Sequence, residues 1–147
     1  MSKPPNARDG DHWEHFDHGA DIGLRAQAQS RVALFELMAE ALTAVVTPPA
    51  RVRGEVEVEI RCEAPDDALL LVDWLNALVF EMSTRGLLFS EWRVALDDHR
   101  LDAKVRGQAV DRAVHAPAVE IKGATYTALE FGAKPDGGWA AQCVVDV

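Results

Sequence analysis

Residues 55–84 read EVEVEIRCEAPDDALLLVDWLNALVFEMST, and the spacing of the apolar residues changes partway through. From Glu55 to Cys62 apolar and charged residues alternate. Val56, Val58, Ile60 and Cys62 fall on one side, and Glu55, Glu57, Glu59 and Arg61 on the other. That is the period of a strand with one buried face. Beyond the turn-forming Pro65, the residues Leu70, Leu71, Trp74, Leu75, Leu78 and Met82 recur at helical spacing. Their stripe is wide enough to cover a sheet. Asp66 or Asp67 caps this helix, expected over 67–84, and Gly86 stops it. Core packing is the first reading of Trp74, ahead of a ligand pocket. The three glutamates read first as a solvated face, ahead of an acidic docking edge.

Towards the N-terminus, Trp13 to Phe16 and Ile22 to Ala26 read as two short strands around a turn. Ser30 caps a second amphipathic helix over Arg31–Val46, with Leu34, Phe35, Met38, Leu42 and Val45 on its apolar stripe. Pro48-Pro49 end it, because the residue before a proline leaves the helical region. Towards the C-terminus, Leu87–Leu96 and Leu101–Val105 read as a hairpin around Asp97 to Arg100, and 108–117 as a loop. Strands are then expected over Val119–Lys122, Thr125–Phe131 and Trp139–Asp146, the last two joined by a turn at Pro135 to Gly138. The order lacks the β-α-β-α alternation and glycine fingerprint of a doubly wound nucleotide fold. The expected class is α+β, a mainly antiparallel or mixed sheet with two helices packed on it. One domain spans 12–147 behind a polar lead-in, 1–11.

Composition narrows the function. The 147 residues are 48% hydrophobic and 27% charged, with a net charge of −9. The 15 Lys and Arg are scattered. A protein gripping phosphates non-specifically needs a basic surface, so strong direct nucleic-acid binding is disfavoured. An acidic protein working near nucleic acid would dock on a basic protein instead. No apolar run approaches the length of a membrane span. Cys62 and Cys143 read as two separate thiols, consistent with a reducing, cytoplasmic setting. There is no phosphate-cradling glycine loop, CxxC pair, HExxH helix or GxSxG elbow.

Two candidate sites remain. His12, His15 and His18 lie three residues apart, which invites a zinc reading. In a strand odd and even positions face opposite ways, so the three do not converge; His18 alone is kept as a contact residue. Asp21, in His18-Gly-Ala-Asp-Ile-Gly23, and Asp146 lie near opposite ends of the chain. If the first and last strands are neighbours, these carboxylates and Val147, with its backbone oxygens, build one oxygen-rich pocket. Such a donor set suits a hard divalent cation, Ca²⁺ first and Mg²⁺ or Mn²⁺ as alternatives, bound weakly at roughly 10⁻⁴ to 10⁻³ M. Lys122 reads as an outward strand lysine balanced by Glu120. Near the Asp21 pocket it could instead meet a phosphate or a partner's carboxylate.

Several segments in register resemble the archease family. They are His18-Gly-Ala-Asp-Ile-Gly-Leu24, Leu70-Leu-Val-Asp-Trp-Leu-Asn76 with Leu87-Leu-Phe-Ser90, Ala103-Lys-Val-Arg-Gly107, His115, Glu120-Ile-Lys-Gly-Ala-Thr-Tyr126, Gly138-Trp139 and Val145-Asp-Val147. Gly19 stands where the family usually has Thr, and Gly123 where it usually has Ala. The resemblance implies an α+β protein that is not itself an enzyme. It implies an activator of an RtcB-type RNA ligase, which joins RNA ends bearing 2′,3′-cyclic or 3′-phosphates, as in tRNA splicing. Such activators promote guanylylation of the ligase and multiple turnover. The resemblance also implies a metal site on Asp21, Asp146 and Val147, and a functional role for Lys122. Two other classes stand beside this reading: a metal-dependent nucleotide hydrolase, and a chaperone or adaptor for RNA-modifying enzymes.

Overall fold

Two antiparallel sheets are joined by a pair of helices in the computed structural model, which describes residues 10–147. The elements are β1 (His12–His18), β2 (Asp21–Ala28), α1 (Arg31–Val46), β3 (Val56–Glu63), α2 (Asp67–Arg85), β4 (Leu87–Asp97), β5 (Arg100–Ala109), α3 (Arg112–His115), β6 (Gly123–Ala124), β7 (Glu130–Ala133) and β8 (Trp139–Asp146). The first sheet runs β1-β2-β8-β6, with β7 also on β8; the second runs β3-β5-β4. The class is α+β, and every pairing is antiparallel. The helices do not lie on one side of one sheet. Helix α1 packs on β1 and β2 and also on β4, while α2 packs on β3 and also on β6 and β7. The helix pair is therefore the core that both sheets share.

Local chemistry accounts for the helices. The Ser30 hydroxyl accepts the Ala33 N–H at 3.1 Å, and α1 ends before Pro48. The Asp66 carboxylate accepts the Leu69 N–H at 2.8 Å, and Gly86 closes α2 in the left-handed region at φ 61°. Trp74 is fully buried, and its indole N–H donates to the Phe35 carbonyl at 3.0 Å, tying α2 to α1. On β3, Val58 and Ile60 are buried as the alternation requires, but Val56, at the end of the sheet, is 40% exposed. The glutamate face is solvated and answered across the strands, with Glu57 opposite Arg106 and Glu59 opposite Lys104.

Three regions depart from expectation. Strand β5 extends through Gly107, where any Cβ would run into the Leu88 carbonyl beside the β-bulge at Phe89/Glu91. The expected 108–117 loop contains α3. His115 is fully buried there; its Nδ1 accepts the Asp111 N–H at 2.9 Å and its Nε2 lies 2.9 Å from the Gln108 side-chain oxygen. Residues 119–131 form only the two-residue β6, a turn with Ala128 at φ 53°, and the start of β7. Side chains take over the strand's role: the Thr125 hydroxyl donates to the Val144 carbonyl at 2.8 Å, alongside the Thr125 N–H at 3.0 Å. Residues 1–9 of the expected lead-in lie outside the described residues. Asp11 is buried and its carboxylate accepts the Gln29 N–H at 2.9 Å.

Candidate functional site

The two ends of the chain meet in the first sheet. Strand β2 pairs with β8 through Ile22 opposite Val145, so Asp21 and Asp146 are the next positions on the same ladder. Asp21 is also opposite His18 in the β1-β2 hairpin, and Asp146 is opposite Gly123 of β6. His18, Asp21, Asp146 and Gly123 thus form one row across four strands. Residues directly opposite one another point to the same face of a sheet. Leu24, Ala26, Cys143 and Val145 take the inner face and are buried, which leaves Asp21 and Asp146 on the outer face.

The turn and its neighbours make this row possible. The Gly19-Ala20 turn places Gly19 at φ 62°, a conformation that Cβ-bearing residues adopt at a cost. Gly23 serves a different need: a Cβ there would lie 2.3 Å from the Phe16 ring, which covers this glycine on the outer face. The Arg25 guanidinium sits 4.3 Å above that ring and pairs with Glu14 at 3.2 Å. Lys122 precedes β6 in irregular backbone rather than in a strand. Its backbone N–H donates to the Asp146 carbonyl at 2.8 Å, which ties it to the row. Its ammonium makes no ion pair with Glu120 or any other described residue and is exposed.

One positioning residue had no role assigned from sequence. Asn76 of α2 accepts the Ala124 N–H at 2.8 Å and donates to the Ala124 carbonyl at 3.3 Å, holding the backbone of β6 as a neighbouring strand would. Its signal was its place inside a motif of the resemblance; spacing alone reads it as one more polar position on the helix, like Asp73 and Glu81.

The electrostatics are simple. Among the described residues neither the Asp21 nor the Asp146 carboxylate takes part in a hydrogen bond or ion pair. His12 and His18 share the outer face, whereas His15 points inward with Nε2 2.8 Å from the Ala41 carbonyl. Beneath the row, burial pushes the Cys143 thiol up to about 11, so it is no nucleophile. Among the described residues no three His, Cys, Asp or Glu gather as metal ligands. The donors at hand are the two carboxylates and the backbone oxygens of half-buried Val147. All are hard oxygens, which fits Ca²⁺, Mg²⁺ or Mn²⁺, but they fall short of the six to eight ligands that Ca²⁺ takes. Water or a partner would have to complete such a site.

Known proteins place the chain. A family model described as the Archease protein family matches residues 13–147. Protein archease of Pyrococcus furiosus is 33% identical over 139 residues, covering 92% of this chain and 98% of that protein. Protein archease of Methanosarcina barkeri is 34% identical over 143 residues, covering 94% and 97%. The solution structure of protein 1598 of Methanobacterium thermoautotrophicum superposes with a TM-score of 0.75 at 26% identity, covering 95% of this chain and 100% of that one. A Thermotoga maritima archease, described as a possible chaperone, shares the fold at a TM-score of 0.57 and 20% identity, covering 91% and 96%. Seven motifs in register, a match over nearly the whole chain and the same two-sheet architecture lead to one conclusion: the chain belongs to the archease family.

Proposed function

We propose that this chain is a non-catalytic activator of an RtcB-type RNA ligase in tRNA splicing or RNA repair, promoting ligase guanylylation and multiple turnover. The observation that carries the reading is that Asp21 and Asp146 are the next positions beyond Ile22 and Val145 on one ladder, with neither carboxylate engaged by another of the described residues. Unengaged carboxylates on adjacent strands repel one another, and a divalent cation relieves that repulsion. Asp21, Asp146 and Val147 would hold the ion, which supplies concentrated positive charge at a negatively charged surface. Lys122 adds a second positive group on the same rim, free to meet a phosphate or carboxylate of the partner. The net charge of −9 steers the protein towards a basic, RNA-binding ligase.

The test follows covalent ligase–GMP formation with GTP and Mn²⁺, with and without the chain. Wild-type protein raises the rate, and Asp21→Asn or Asp146→Asn removes the gain while circular dichroism stays unchanged. Lys122→Ala weakens activation and spares cation binding. Guanylylation indifferent to the chain defeats the proposal.

A further inference from the structure

We infer that the β4 edge of the second sheet is a peptide-docking site. An extended segment of a partner protein adds beside β4, with basic side chains towards α1 and an acidic one beside Arg93. The site is on the other sheet from the carboxylate row, and it stands independently of the proposed function. Strand β4 pairs only with β5, so its far side is an edge. One bond shows which backbone groups point outwards. The Val94 N–H donates to the Glu36 carboxylate of α1 at 3.0 Å, so Val94 turns its backbone groups away from β5. In an antiparallel pair this orientation recurs at every second residue, and the register with β5 is unbroken from Glu91 to Asp97. Trp92 and Leu96 therefore also present an N–H and a carbonyl to the edge, and no described residue bonds to them there. Such an edge is a template for another strand. A groove of about 480 Å³ lies beside it, between α1 and residues 90–93 of β4. The Trp92 indole lines this groove, and its N–H is buried with no hydrogen-bond partner among the described residues. A buried donor without an acceptor is costly, and a peptide carbonyl in the groove supplies one.

Charge selects the occupant. The wall from α1 carries Glu36 and Glu40. The outer face of the sheet carries the opposite sign at this edge: Arg93 stands opposite Lys104, and neither makes an ion pair with a described residue. Like charges facing each other across a ladder repel, and an acidic neighbour beyond Arg93 relieves that repulsion. Successive residues of a strand point to opposite faces. A strand laid beside β4 therefore puts the residue opposite Arg93 on the outer face, and its two neighbours, opposite Trp92 and Val94, on the side of α1. An acidic residue at the first position and basic residues at the other two satisfy both walls. Paired N–H and carbonyl groups at the spacing of a strand select a polypeptide backbone, the mode by which extended peptides add to exposed sheet edges.

The test titrates the full chain with the blocked peptide acetyl-Val-Lys-Glu-Lys-Val-amide and with its charge-swapped twin, acetyl-Val-Glu-Lys-Glu-Val-amide, and follows nitrogen–proton NMR correlation spectra. The first peptide shifts the Trp92 indole and backbone signals and binds at least about fivefold more tightly than the twin. Arg93→Glu removes that preference. Trp92→Phe keeps the ring, loses the donor and weakens binding about fivefold. Methylating the backbone nitrogens of the two lysines in the first peptide abolishes binding. Equal affinity for the two peptides, no binding of either, or full affinity of the methylated peptide overturns the inference. Binding seen only when Lys3 and Arg8 are both replaced by glutamate would give the groove to the chain's own lead-in. A dimer of the chain that Arg93→Glu dissolves would give it to a second copy. Either result overturns the assignment to a partner protein.

Discussion

Replacing Asn76 with alanine isolates the clasp that holds β6 against α2. The side chain makes two bonds to one residue, 2.8 Å from the Ala124 N–H and 3.3 Å to its carbonyl. A net bond of this kind contributes about 1 kcal/mol and the longer one less, so the loss is about 1.5–2 kcal/mol. Water reaches this edge strand and would recover part of the rest, so the penalty falls on local opening rather than global unfolding. At 1.4 kcal/mol per tenfold, hydrogen exchange at the Ala124 amide should accelerate about ten- to thirtyfold, with smaller effects at Lys122 and Thr125. Amides in α1 and the second sheet should be unchanged. Cation binding should weaken too, because the backbone bond from Lys122 to Asp146 belongs to the loosened segment. Unchanged exchange at Ala124, or equal acceleration across the whole domain, refutes the argument.

Four further outcomes can be checked. Gly19→Val puts a β-branched residue at φ 62° in otherwise open space; a cost of about 1–2 kcal/mol should lower the melting temperature by roughly 3–6 °C, seen by calorimetry. Gly23→Ala forces the Phe16 ring out of its place, 2.3 Å from the new Cβ; this should cost about 1–3 kcal/mol, and an unperturbed Phe16 ring signal by NMR would contradict it. Burial raises the Glu40 carboxyl above its ordinary value of 4.5, opposed by the hydrogen bond from the Trp13 indole. Its contribution to stability is thus complete below about 4.5 and declines as pH rises towards the raised value. Glu40→Gln keeps an acceptor for Trp13 and should melt higher than wild type at pH 7, with the gap closing below pH 4.5. Burial holds Cys62 and Cys143 at about 11, so at pH 8 roughly 10⁻³ of each is thiolate. Thiol reagents should label the unfolded chain far faster than the native one.

How far the fold could be read from sequence tracks where the hydrogen bonds go. Helix α1 begins and ends where expected, at Arg31 and Val46, because Ser30 and Pro48 are local signals. Strand β8 likewise matches Trp139–Asp146, since its apolar alternation is satisfied by a central strand. The division into two sheets was invisible, because it depends on which strands pair across long separations: β2 pairs with β8 while β3 pairs with β5. Residues 119–131 read as strands because their composition suits one. Asn76 and the Thr125 hydroxyl, however, supply bonds that a neighbouring strand would otherwise make. His115 offered no periodic signal for burial; its ring is held by the Asp111 backbone and the Gln108 side chain within a segment that reads as loop. For the candidate site, Asp21 and Asp146 were legible as a pair only on the condition that the first and last strands adjoin, and β2 and β8 do.

Isothermal titration of Ca²⁺ or Mn²⁺ into wild type, Asp21→Asn, Asp146→Asn and the double variant bears on whether the two carboxylates act as one ligand set. If they share an ion, each single variant loses nearly all measurable binding, and the double variant loses no more than either. Cation affinity that survives in both single variants, or that falls by independent and additive steps, would mean that the facing carboxylates of β2 and β8 hold no common ion.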